Sequence, residues 1–207
     1  MIRGGDPAGL PIKSQLQYYA SQFQSAELNG VFYRTPTPQA VGSWKEQTGK
    51  SFVVAWKASK FITHWKRLSA NSVNSLELME DRLSLLGHKV GSVLFQLPPN
   101  FHADADRLSG FLRMLPPKRR YSFEFRHPSW YSPQIMRLLS KENISLCISD
   151  HHDAPRTLSI SEDFIRATIR GTPWRPGPNA SGRGKRKATT CLCSSIMTRR
   201  APHRSMP

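Results

Sequence analysis

The chain has 207 residues, 38% hydrophobic and 21% charged, a size and balance that suit one globular domain with a substantial core. No apolar run is long enough to span a bilayer and the N-terminus shows no signal-peptide pattern, so no membrane role is expected and the protein reads as cytoplasmic. The formal charge of +16 is unevenly spread: residues 1–171 hold 22 Lys+Arg against 14 Asp+Glu, whereas 172–207 hold eight basic residues and no acid.

After a Gly/Pro-rich approach, Ile12, Leu16, Tyr19 and Phe23 recur at helical spacing and predict a first helix. Ala26 to Tyr33, AELNGVFY, reads as a strand stopped by Thr35-Pro36, and Pro38 to Gln47 as a helix. Ser51 to Ala58, SFVVAWKA, is a strongly apolar strand, followed by the basic, aromatic loop SKFITHWKRLS. Leu76, Met79, Leu83 and Leu86 define a helix over Asn74 to Leu86 that Gly87 ends. A strand over Ser92 to Leu97 stops at Pro98-Pro99, and Asp104 opens a helix running through Leu115.

The stretch YSFEFRHPSW, Tyr121 to Trp130, concentrates the most chemistry. Alternation puts Phe123 and Phe125 on one face of a strand, with Ser122, Glu124 and Arg126 on the other. His127-Pro128 stops it, and Ser132-Pro133 reads as N-cap and first residue of a helix over 133–142. Strands follow over Ile144 to Ser149 and Phe164 to Arg170. Strands alternating with helices make a parallel sheet built from βα units. Polar residues on one face of these strands, and no glycine-rich phosphate loop after any of them, favour a TIM-type (β/α) barrel over a doubly wound sheet.

Five stretches in this order and spacing, AELNGVFYR, FVVAWKAS followed by FITHWKRL, VLFQLPPNF, YSFEFRHPSW and ISLCISD, resemble the YecE-like family, domain of unknown function 72. The resemblance runs from about Gly5 to Gly171 and implies a TIM-type barrel without an assigned reaction. It also implies that this chain has about six of eight strands, with the family's first strand missing upstream of GGDPAGLP. The expected organisation is an incomplete barrel over 1–171 and a disordered basic tail over 172–207. Read two nucleotides later, the codons for GKRKATTCLCSSIMT can encode the family's acidic helix end and final Asn-Asn-Asp strand. The tail is therefore expected to be out of frame, and a truncated, frame-shifted product without function is one reading of the whole chain.

Glu27 and Glu124, with Asp150 as a third acid, could divide acid and base roles at one barrel mouth. Arg126 beside Glu124 would favour a base there, and Lys57 would stabilise charge or serve as a nucleophilic amine. Asn29, Tyr33, Arg34, His64, Gln96, His127 and Arg170 are candidates for substrate contact, and the surplus of cations suits an anionic or phosphorylated substrate. The expectation is a hydrolase or lyase, with nucleic-acid or nucleotide binding through KFITHWKRL as the alternative. No cofactor and no metal are expected, because His64 and His127 lack ligand spacing and Cys191-x-Cys193 is weak. The same residues also fit purely structural roles: Glu124 and Arg126 as a pair that only satisfies itself, Gln96 and Asn29 holding loop backbone, and His127 capping the neighbouring helix. Trp44, Trp56 and Trp65 read as packing residues and Cys147 as a small core hydrophobe.

Overall fold

The computed structural model describes residues 11–147. Five strands form one parallel sheet in the order β1-β2-β3-β4-β5: β1 (Ser25–Leu28), β2 (Val53–Lys57), β3 (Val90–Gln96), β4 (Tyr121–Glu124) and β5 (Ser145–Cys147). Each strand lies beside its predecessor in sequence, which parallel pairing permits only through crossover segments. Those segments hold the helices: α1 (Ile12–Gln22) leads into β1, α2 (Gly30–Tyr33) and α3 (Pro38–Gln47) follow it, α4 (Val73–Leu86) follows β2, α5 (Ala105–Leu112) follows β3 and α6 (Pro133–Lys141) follows β4.

The helix starts follow from local chemistry. Thr37 and Ser132 accept from the backbone N–H groups of Ala40 and Ile135, each followed by a proline whose missing N–H costs nothing at that position. Asp104 accepts from Arg107 N at 2.9 Å at the start of α5. Asn143 closes α6 in the left-handed region, φ 54°, so that Ile144 N reaches back to Leu139 O at 2.9 Å.

The core is aromatic where β3 and β4 meet α5. Phe95 and Phe123 stack at 5.1 Å between centroids, and Phe111 of α5 meets Phe95 edge-on at 5.2 Å. Phe125, beyond the end of β4, stacks on Trp130 at 4.9 Å. Because side chains alternate, this packing turns Ser122 and Glu124 of β4, and Gln96 of β3, to the opposite face of the sheet. Cys147 is buried in β5.

Three expectations are corrected. The stretch 26–33 is not one strand: β1 ends at Leu28 opposite Trp56, and residues 30–33 form a helical turn. Among the described residues no strand extends beside Val31-Phe32-Tyr33, and Val31 and Phe32 are buried from a helix. The basic loop after β2 contains a π-helical turn, Phe61–Trp65, followed by two non-glycine residues in the left-handed region, Arg67 (φ 47°) and Leu68 (φ 60°). Burial of Leu68, together with its N–H bonded to Ile62 O at 3.1 Å, offsets that strain. Trp65 is not a packing residue: it is 65% exposed, because Phe61 and Trp65 share the outer face of this turn while Ile62 and Thr63 point inward.

Candidate functional site

The polar face of the sheet ends in a row of charged and amide side chains. Glu27 lies one residue before the end of β1, and Lys57, Gln96 and Glu124 are the last residues of β2, β3 and β4. Parallel register brings them side by side at the carboxyl edge, with Lys57 opposite Leu94 and Gln96 opposite Glu124.

Two linked groups result. In the first, Lys57 Nζ stands 3.8 Å from Glu27 Oε1 and donates to Asn29 Oδ1 at 3.4 Å. It also lies 5.4 Å from the centroid of the Phe32 ring. In the second, Gln96 Nε2 donates to both Glu124 oxygens, at 2.8 and 2.9 Å, and Arg126 Nε donates to Glu124 Oε1 at 3.1 Å. Glu124 is 3% exposed, so these donors replace nearly all the water it gives up.

The groups act on one another electrostatically. Burial pushes the Glu27 carboxyl above its ordinary value; the Lys57 charge opposes this, and the Glu124 charge adds to it. His64 is lowered, first by burial and then by Arg126 and Lys57. Its ring meets Phe32 edge-on at 5.2 Å, and its Nδ1 is 2.9 Å from Thr63 Oγ1.

The structure thus brings together Glu27, Asn29, Lys57, His64, Gln96, Glu124 and Arg126. Gln96 and Asn29 hydrogen-bond charged side chains, Glu124 and Lys57, across strands rather than nearby loop backbone alone. His127 has other partners: its Nδ1 caps the short turn Pro128–Trp130, accepting from Ser129 N at 3.2 Å, and its ring lies tilted by 36° against that of His102, with 3.8 Å between centroids. Arg34 is exposed beyond α2 and Tyr33 is 70% exposed, so neither joins the cluster. Asp150 and Arg170, the strand expected at 164–170 and the tail at 172–207 lie outside the described residues.

Two contributing residues are not apparent from sequence. Tyr131 donates to Phe125 O at 2.7 Å, and its hydroxyl is pushed up to about 12, by burial first and the Glu124 charge second. The only signal for it is its position directly after YSFEFRHPSW. Thr63, fully buried against His64, has no sequence signal at all.

The cluster does not line the apolar recess formed by Val31, Trp56, Phe61, Leu78 and Met79 between α2, the π-helical turn and α4. Among the described residues no group of three or more His, Cys, Asp or Glu side chains could hold a metal ion, and no helix is long and apolar enough to cross a membrane.

The UPF0759 protein YunF of Bacillus subtilis (strain 168) is 29% identical over 170 residues, which cover 77% of this chain and 58% of that protein. A DUF72 family protein of known structure from Thermotoga maritima MSB8 matches with a TM-score of 0.61 at 22% identity, over 73% of this chain and 60% of that one. Another, from Enterococcus faecalis V583, matches with a TM-score of 0.60 at 21% identity, over 70% and 63%. SacUVDE shares the fold at 12% identity, with a TM-score of 0.56 over 79% of this chain and 64% of that one. The chain spans less than two thirds of the length of each of these proteins. The family model described as protein of unknown function DUF72 matches residues 6–188, past Gly171, and the chain belongs to that family.

Proposed function

We propose that the carboxyl edge of the sheet is the site of an acid/base enzyme, a hydrolase or lyase, acting on an anionic substrate such as a phosphate ester. The observation that carries this reading is the unequal setting of two carboxyl groups at the same edge of the sheet. Burial raises Glu27, whereas both oxygens of Glu124 accept hydrogen bonds, one from a guanidinium. Unequal carboxyls divide acid and base roles, with Glu27 as the proton donor and Glu124 as the acceptor. Lys57, held between Glu27 and Asn29, supplies charge for the substrate anion, and His64, lowered by its surroundings, offers a neutral imidazole beside it. Sequential order of the parallel strands supports a TIM-type barrel, whose sites lie at the carboxyl ends of the strands.

The test is calorimetric titration with inorganic phosphate, alongside a screen of phosphate monoesters for turnover. Lys57→Ala and Arg126→Gln should abolish phosphate binding, and the exposed-surface control Lys118→Ala should not. Turnover, where found, should fall by two orders of magnitude or more in Glu27→Gln and Glu124→Gln, the ~100-fold scale of lost proton transfer. Absence of phosphate binding, or binding indifferent to Lys57 and Arg126, would sink the reading.

A further inference from the structure

Beside the polar cluster stands a group of large side chains that the acid/base chemistry does not use. Tyr33 is 70% exposed, Trp65 65% and Phe61 36%, and they come from the loops that follow β1 and β2. One ammonium serves two of these rings: Lys60 Nζ lies 5.4 Å from the Tyr33 centroid and 5.3 Å from that of Trp65. Lys66 Nζ lies 5.4 Å over Phe61, which meets Trp65 edge-on at 5.5 Å. The same loops are one-signed, with no acidic residue from Leu28 to Lys45 or from Lys57 to Leu76. Flat rings left open to solvent, interleaved with Lys60 and Lys66, which make no ion pair among the described residues, match a ligand that pairs open π-faces with repeated negative charge. A single-stranded nucleic acid has both, and a duplex hides its base faces.

The platform is joined to the polar cluster through Phe32. Its ring is edge-on to Tyr33 at 5.0 Å and to His64 at 5.2 Å, and it lies under Lys57 Nζ. We propose that Tyr33, Lys60 and Trp65 form a stacking platform for single-stranded nucleic acid, and that a bound strand presents one of its phosphates to Lys57. The phosphate placement rests on the acid/base reading above; the stacking does not.

The test is fluorescence anisotropy of a labelled mixed-sequence single-stranded DNA of about twelve nucleotides with the full 207-residue chain, within the site sizes typical of stacking grooves. Tyr33→Ala and Trp65→Ala should each weaken binding by roughly fivefold or more, and Trp65→Phe, which keeps a ring, should restore most of it. Lys60→Gln should lower the slope of log affinity against log salt by about 0.7. Strand binding that survives in Lys57→Ala but falls in Trp65→Ala supports the platform whatever becomes of the acid/base site. Three results would overturn the proposal: the ring variants binding like wild type, polyphosphate competing as well as unlabelled oligonucleotide, or phosphatidylserine vesicles binding with the same dependence on Trp65.

Discussion

Gln96 and Glu124 are paired positions of neighbouring parallel strands, and one amide nitrogen of Gln96 donates to both carboxylate oxygens of Glu124. The amide thereby locks the orientation of the acid, and Arg126 adds charge at 3.1 Å. A nearly buried carboxylate that loses a donor bears its own desolvation cost. Gln96→Leu should therefore cost about 1–3 kcal/mol in urea unfolding. An unchanged midpoint would show that water replaces the amide.

Glu27 should make stability depend on pH with a definite sign. Its folded value is raised, chiefly by burial, so the folded chain keeps this proton to higher pH than the unfolded chain does. The contribution is fully present below the unfolded value, near ~4.3, and is lost as pH rises through the folded value. Glu27→Gln cannot ionise. Its stability relative to wild type should climb between pH ~4 and neutrality, measured by thermal melting at each pH. Parallel pH profiles for the two chains would refute the raised carboxyl.

His64 carries the opposite shift, since burial and then Arg126 and Lys57 disfavour its cation. Its contribution is present above the unfolded value, near ~6.5, and is lost as pH falls through the lowered folded one. Removing the second-largest cause should move it back. In Arg126→Gln the His64 ring, followed by NMR of its imidazole nitrogens, should titrate at higher pH than in wild type. Coincident curves would mean that Arg126 does not act on this ring.

Tyr131 ties the residue after Glu124 to the next turn through its bond to Phe125 O. Tyr131→Phe should cost about 0.5–1.5 kcal/mol, the usual net worth of one hydrogen bond. The tyrosinate absorbance step near about 12 should disappear with it. A variant as stable as wild type would show that the phenol is not needed to hold this strand end.

Sequence alone determined the elements whose signals are local. Thr37-Pro38 and Ser132-Pro133 set the starts of α3 and α6, since a cap and a fixed φ act within one turn, and periodic leucines set α4. Sequence also placed Lys57 and Gln96 beside the ends of their strands, because a polar residue closing an apolar run reads the same before and after folding, whereas Glu27 comes to a strand end only because β1 stops at Leu28. Tertiary structure decided what each one meets. The Gln96–Glu124 pairing depends on the register of two strands 28 residues apart, and the burial of Glu27 on what packs around it. Val31 to Tyr33 turn helical where β1 has already ended at Leu28, and Trp65 faces outward because the turn after β2 is a π-helix. Lys89, a surface lysine by composition, is buried and donates to Lys45 O, Thr48 O and Thr48 Oγ1 at the end of α3. Register, burial and the sharing of donors are properties of contacts between distant segments, and no window along the chain contains them.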